Sequence, residues 1–280
     1  MMPERASKIL VTAVLAVAAV YFLLPVYWLA VAATKTTTGL YGSSGLWFSD
    51  PRLWTNLGQL FSHDGGIYLR WVANTLLYAG VGALAGTWLS AACGYAIAKF
   101  SFRGREMVFN LVLGGVLIPF TVLALPLYLI FSSLGLANTY ASVLLPSMVS
   151  PFGVYLARIY ADAAIPDELL ESGRIDGAGE FRIFNTLVLR LMKPALVTVF
   201  LFQFVAIWTN YFLPLVMLSD SSLYSLPLGL AAWSTAAERD AVLTQLTVGG
   251  AFVSVVPLMI AMLFLQRYWK GGLTEGSVKS

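Results

Sequence analysis

Six apolar runs constrain this chain more than any other feature. They cover roughly 9–33, 72–98, 108–131, 140–160, 195–218 and 247–267. An α-helix needs about 20 largely apolar residues to cross a hydrocarbon layer, and runs of this length meet that need. Composition agrees: of 280 residues, 59% are hydrophobic and 11% charged, and mean hydropathy is +0.79. A soluble globular chain carries about a quarter charged residues. The expected fold class is therefore an all-α polytopic membrane protein of six transmembrane helices, forming one transmembrane domain over residues 1–280. The first run follows Arg5 and Lys8 and is too long for the core of a signal peptide, so it is read as an uncleaved span. Five runs carry interior prolines: Pro25, Pro119 and Pro126, Pro146 and Pro151, Pro214, and Pro257. Bundled membrane helices tolerate proline because neighbours satisfy the freed carbonyls. Such kinks suit helices that line a path, and they are equally compatible with ordinary bends.

The residues left for chemistry are few. Cys93 is the single cysteine and lies inside an apolar run, which excludes a disulfide framework. His63 is the single histidine, so no histidine metal cluster can be built. There is no HExxH, GxSxG or Walker A pattern. No catalytic residue, metal site or cofactor is expected in the chain, and no nucleic-acid partner.

Charge placement gives an orientation. With the N-terminus on the cytoplasmic side, that side holds 13 of the 17 lysines and arginines and the other side holds 4: Lys35, Arg52, Arg70 and Arg239. Both termini are then cytoplasmic, and the loops 34–71 and 219–246 face outward. In the first of these, Asp50-Pro51 and Asp64-Gly65-Gly66 are turn signals. Leu53 to Phe61 reads as a short amphipathic helix resting on the membrane surface.

The densest charge lies in Ile165 to Leu196, a stretch that takes up most of the loop 161–194. Asp167, Glu168, Glu171, Asp176 and Glu180 alternate with Arg174, Arg182, Arg190 and Lys193. Such a segment cannot sit in hydrocarbon, yet it reads as folded. Pro166 followed by two acids is a helix start. Asp176-Gly177 is a helix end, with glycine free to take the left-handed conformation. Phe181, Phe184, Leu187, Val188 and Leu191 then recur at helical spacing. The expectation is helix, glycine turn, helix.

This segment resembles the EAA loop of ABC importer permeases, a pattern of E-A-A, two residues, D-G-A, an aromatic, L-P and a later proline. Glu171, Asp176, Gly177, Ala178, Phe184, Leu189 and Pro194 match in register. Ser172 and Gly173 stand where two alanines are usual, and Arg190 where proline is usual. Asn56 to Phe61 is similar to the family's N-Y-x-x-L/I-F stretch, and Trp71-Val72-Ala73-Asn74-Thr75 to its W-x-x-N-S/T entry to the second span. Gly94 to Arg105 resembles the Y-A-x-A-R/K-F-x-F-x-G-R signature of carbohydrate permeases, though Lys99, Arg103 and Arg105 also serve as positive-inside anchors. Gln266 to Lys279 resembles the tail of the sugar-specific, maltose-permease-like branch.

The resemblance implies a type I importer permease in a prokaryotic inner membrane. Its partners would be a second, different permease, two ATPase subunits that bind the ATP and Mg, and an extracytoplasmic sugar-binding protein. Glu171, Asp176, Gly177 and Ala178 would couple to the ATPase. Gln203, Thr209 and Asn210 are the clearest polar set in the fifth span. With Trp208 and Tyr211 they have the makings of a sugar path, aromatic faces for the ring and amides for its hydroxyls. The same aromatics fit an interfacial belt. Asn74 fits either an interhelical hydrogen bond or the path. The rivals are an importer permease for another solute, such as a polyamine, phosphate or amino acid, a self-contained secondary transporter, and an intramembrane enzyme. The tail argues against the first. Spans free of carboxylates argue against the second, and the absence of a serine–histidine or paired-aspartate site argues against the third.

Overall fold

The computed structural model describes residues 4–49 and 51–274. Asp50 and the tail from Glu275 onward, which carry parts of two motifs above, lie outside the described residues. The chain is helical, with no strand among the described residues. The helices are α1 (Glu4–Ala33), α2 (Thr37–Gly42), α3 (Leu53–Ser62), α4 (Ile67–Lys99), α5 (Arg105–Leu117), α6 (Phe120–Ser133), α7 (Tyr140–Ser147) and α8 (Pro151–Ala164). There follow α9 (Asp167–Ile175), α10 (Glu180–Ile183), α11 (Leu189–Leu191), α12 (Lys193–Trp208), α13 (Phe212–Met217), α14 (Leu226–Ala236) and α15 (Ala241–Thr274).

Four stretches among the described residues are long and apolar enough to cross a bilayer: Ser7–Ala33, Leu53–Lys99, Tyr140–Ala164 and Ala241–Phe264. Two helix pairs pass the same test only together, α5 with α6 and Glu180–Leu191 with α12, bent by 105° and 83°. Six crossings result when each bent pair counts as one. The run 108–131 is thus broken where a single helix was expected. Pro119 forces Ile118 into extended backbone (φ −80°, ψ 119°) and ends α5 there. The run 195–218 is likewise interrupted, because α12 stops at Trp208 and α13 begins at Phe212. Loop 219–246 contains α14.

The chain divides into two compact units. One comprises Met1–Leu69 and Leu230–Val256. Its first helix is unusual: from Ile9 to Trp28 every large apolar side chain of α1 is exposed. Burial begins at Val31–Ala33, where Asn56 of α3 donates to the carbonyls of Ala33 (2.8 Å) and Lys35 (3.0 Å). The expected amphipathic helix does form as α3, and its Asn56 and Leu60 are buried. Lys35 is only 1% exposed. Its ammonium donates to Ser43 Oγ at 3.0 Å and to the Ser44 carbonyl, organising the loop after α1. Tyr68 stacks on Trp233 (6.3 Å) and donates to the Gly250 carbonyl (2.8 Å), while His63 meets Trp233 edge-on.

The second unit comprises Arg70–Gly229 and Pro257–Ser280. Gly82, Gly86, Ser90 and Gly94 form a stripe of small residues along α4, four residues apart and therefore on one face. Small residues let membrane helices approach closely. At Gly94 an added Cβ would lie 2.6 Å from Ala157 Cβ and from the backbone nitrogen of Arg158, so α4 and α8 touch almost backbone to backbone. Farther along, Ala91, Tyr95, Ala157, Ala161, Ile165, Leu170, Ile183, Phe184, Val188 and Met192 form one buried core. That core joins α4, α8 and the charged hairpin.

Candidate functional site

The charged hairpin folds as helix, glycine turn and helix, the second helix being interrupted by a π turn. Asp167 and Glu168 occupy the first turn of α9, and Asp167 pairs with Lys99 at the end of α4 (2.8 Å). Leu170 and Gly173 face the core. At the far end Gly177 has φ +77°. Its N–H donates to Arg174 O and that of Ala178 to Gly173 O, both at 3.0 Å, the two reverse bonds of a Schellman cap. Ala178 packs back against the core, as the cap's hydrophobic contact requires. Arg174 closes the hairpin on Glu180 (2.6 Å), and that hydrogen bond pushes the guanidinium pKa further up.

The outer rim of this turn is different. Glu171 and Asp176 are exposed. So are Ile175, at 85%, and Phe181, at 74%. The spacing placed Phe181 with the apolar face of the second helix, and that expectation is corrected: the face begins at Ile183. A π turn at Phe184–Val188 follows, held by Asn185, which donates to Phe181 O (2.8 Å) and accepts from Trp88 Nε1 (3.4 Å). The exit bend falls at Met192, just before Pro194 near the start of α12, so Arg190 is not at the bend.

A second polar assembly lies at the other end of α4. Trp71 donates to Ser221 O (2.8 Å), Asn74 to Ser222 O (2.9 Å) and Tyr224 O (3.0 Å), and Tyr78 to Leu223 O (2.9 Å). Thr75 accepts from Leu226 N (2.7 Å), and Tyr140 donates to Asn74 Oδ1 (3.1 Å). Positions 71, 74, 75 and 78 share one helix face, and that face reads the backbone of 221–226 group by group. Asn138, at φ +56°, accepts from the N–H groups of Ser219 and Asp220, both at 2.9 Å. Asp220 accepts from Ser222 N (2.8 Å), which holds its carboxyl below the ordinary value.

The remaining path candidates lie in α12 and in the break before α13. Gln203 is buried and donates to Ser147 O (2.8 Å). Trp208 is 2% exposed and stacks on Phe204 (5.7 Å). Asn210 accepts from Leu213 N (3.1 Å), capping α13. Tyr211 is 40% exposed. Among the described residues no group of histidine, cysteine and carboxylate side chains could hold a metal ion.

The model of the family described as binding-protein-dependent transport system inner membrane component matches residues 86–271. The chain belongs to this family. It is 35% identical over 257 residues to the arabinooligosaccharides transport system permease protein AraQ of Halalkalibacterium halodurans, covering 91% of this chain and 90% of that one. It is 26% identical to the lactose transport system permease protein LacG of Rhizobium radiobacter, covering 99% and 98%. A crystal structure of a bacterial ABC transporter involved in alginate import contains a chain of the same fold, with TM-score 0.81, 20% identity, and 96% and 98% coverage.

In this permease, then, the matched region contains the hairpin, the small-residue stripe from Gly86 onward and the 219–226 segment, while Gly82 and the α4 side chains at 71, 74, 75 and 78 precede it. Sequence reasoning missed the roles of Tyr78 and Tyr140 in that assembly. It also read Lys35 only as a topological charge, and Lys99 as a signature residue and positive-inside anchor. Tertiary pairing alone reveals these, because the partners lie 8 to 145 positions away along the chain.

Proposed function

We propose that the chain is the permease subunit of an ATP-driven importer for a sugar or oligosaccharide, and that the charged hairpin is its docking knob for an ATPase subunit. The observation that carries this reading is the hairpin's rim. Ile175 and Phe181 stand exposed on either side of the Gly177 turn, flanked by Glu171 and Asp176. Exposed apolar side chains rimmed by charge mark a protein contact, and a segment this charged cannot be covered by lipid tails. Behind the rim the hairpin is braced by the Lys99–Asp167 and Arg174–Glu180 pairs and by the core on α4 and α8. It can therefore transmit a push.

The substrate class is supported by relatives whose names specify arabinooligosaccharides and lactose. The exposed apolar surface of α1 supports burial against lipid or a second permease subunit. The charge asymmetry supports cytoplasmic termini and a cytoplasmic hairpin, with an extracytoplasmic binding protein meeting the opposite side. Of the sequence candidates for a substrate path, Tyr211 has the most accessible side chain, at 40%.

The test is reconstitution with the partner permease, ATPase and binding protein. Sugar-loaded binding protein should stimulate ATP hydrolysis, and Glu171→Ala should release the ATPase on purification while leaving the permease pair inserted. Full ATPase retention and wild-type hydrolysis in both Glu171→Ala and Gly177→Val would remove the hairpin from this role. Mass spectrometry of the ligand held by the native binding protein identifies the solute, and a non-sugar there would overturn the substrate class.

A further inference from the structure

The fourth apolar run is broken between α7 and α8 at Met148–Ser150. Pro151 opens α8 and has no N–H, so in a continuous helix the carbonyl four residues back, on Ser147, would lack its donor. The structure supplies that donor from another helix: Gln203 Nε2 of α12 donates to Ser147 O at 2.8 Å. The amide can reach it only because position 86 of α4 is glycine, since a Cβ there would collide with the Gln203 amide itself. The register around this contact is antiparallel in steps of one turn. Ile207 sits against Gly82, Gln203 against Gly86, and Val199 beside Gly153, which also meets Ser90.

The two sides of the break belong to different assemblies. On one side, α7 begins at Tyr140, which bonds Asn74 and packs on Tyr78 in the cluster that holds 221–226. On the other, Ala157 and Ala161 of α8 and Ile165 after it enter the hairpin core. Element-terminal segments are where φ/ψ changes are absorbed in hinge motions. The Gln203 contact lies at the edge of such a segment, where Met148 N and Val149 N are held only by single-turn bonds to Leu145 O and Pro146 O, both at 3.2 Å.

We propose that Gln203 is a positioning residue, the clasp of a hinge at Met148–Ser150 about which α8 and the charged hairpin move as one lever. The inference rests on the reading of the hairpin as the ATPase-docking knob. The clasp is poised to change partners. Gln203 Oε1, Thr87 Oγ1 and Ser90 Oγ are all buried without a hydrogen-bond partner among the described residues. Buried polar atoms left unpaired are costly, so a neighbouring arrangement that pairs them offsets the loss of the Ser147 bond.

The experiment uses the assembled complex and four variants of this chain: Gln203→Met, Gly86→Ala, Pro151→Ala and the double Gln203→Met/Pro151→Ala. Met keeps the volume but removes the donor, Gly86→Ala fills the amide's seat, and Pro151→Ala returns the backbone N–H to Ser147. Gln203→Met and Gly86→Ala should each lower the ratio of binding-protein-stimulated to basal ATP hydrolysis about tenfold, with the KM for substrate unchanged. The double variant should recover to within about twofold of Pro151→Ala alone. A changed substrate KM with an unchanged ratio in Gln203→Met would place this side chain in the substrate path instead and overturn the clasp. So would failure of Pro151→Ala to rescue. Amide hydrogen exchange over 148–154 in the purified complex is independent of the hairpin's role. It should speed up in Gln203→Met and return in the double variant; unchanged exchange in Gln203→Met overturns the proposal even where transport is lost. Absence of stimulation in the wild-type complex would count against the functional reading alone.

Discussion

Gly177 separates two effects that sequence alone merges. Its φ of +77° disfavours any side chain, yet an added Cβ meets nothing within 4 Å. Within this chain the cost of substitution is therefore backbone strain alone, about 1 kcal/mol. Gly177→Ala should lower the melting temperature of the isolated permease slightly and Gly177→Val somewhat more, because a β-branched residue is strained further at positive φ. A docked partner adds a clash that grows with size, so valine should lose ATPase stimulation far more than alanine, beyond that difference in stability. Equal loss in both would show that strain, not a cleft, governs the position. Asp220 offers a pH readout. Its carboxyl is held low by the N–H of Ser222. A depressed folded-state value means the contribution is complete above the ordinary carboxylate range, about pH 4, and is lost as pH falls through the depressed value. Proteolytic protection of the 219–226 turn should therefore be the same at pH 7 and pH 5. Asp220→Asn should weaken it at both.

The element that does most is α4. Its N-terminal half holds the backbone of 221–226, and its C-terminal half holds the hairpin through Trp88, Tyr95 and Lys99. Asn74→Ala orphans two carbonyls at once, so it should destabilise the chain by about 1–3 kcal/mol and expose the 219–226 segment to protease. Tyr140→Phe removes only one donor to Asn74 and should cost about 1 kcal/mol or less. Equal protection in Asn74→Ala and wild type would mean that α4 does not hold the segment. The small-residue face makes a separate claim. Gly94→Ala pushes a methyl into the α8 backbone and should cost about 1–3 kcal/mol by overpacking. Gly80→Ala, on the same helix where an added Cβ meets nothing, should cost nothing in the same melting assay.

At the scale of the whole molecule, the orientation is the prediction that matters. On a Cys93→Ser background, a cysteine at Ser172 should resist an impermeant thiol reagent added to intact cells and react once the membrane is opened. A cysteine at Ser221 should behave in the opposite way. Labelling of the Ser172 position from outside would reverse the topology, and with it the assignment of the hairpin to the ATPase side.

What the sequence by itself determined follows from chemistry that acts locally. Apolar runs dictate helices that cross a bilayer, because unpaired backbone cannot remain in hydrocarbon. Pro166, the acids after it and Asp176-Gly177 dictate where α9 begins and ends, because capping involves only neighbouring residues. Tertiary structure alone decided the rest. A proline's place in a run says nothing about whether the helix absorbs it, as at Pro25, Pro126 and Pro257, or breaks, as at Pro119 and Pro151. That depends on the donors and acceptors that neighbouring helices bring to the freed carbonyl. The same holds for polar residues within spans. Asn74 and Gln203 looked alike as candidates for a path, but an amide carries no sign of its partner. Only the packing of α4 against the 221–226 turn, and of α12 against Gly86 and Ser147, gave each amide its task.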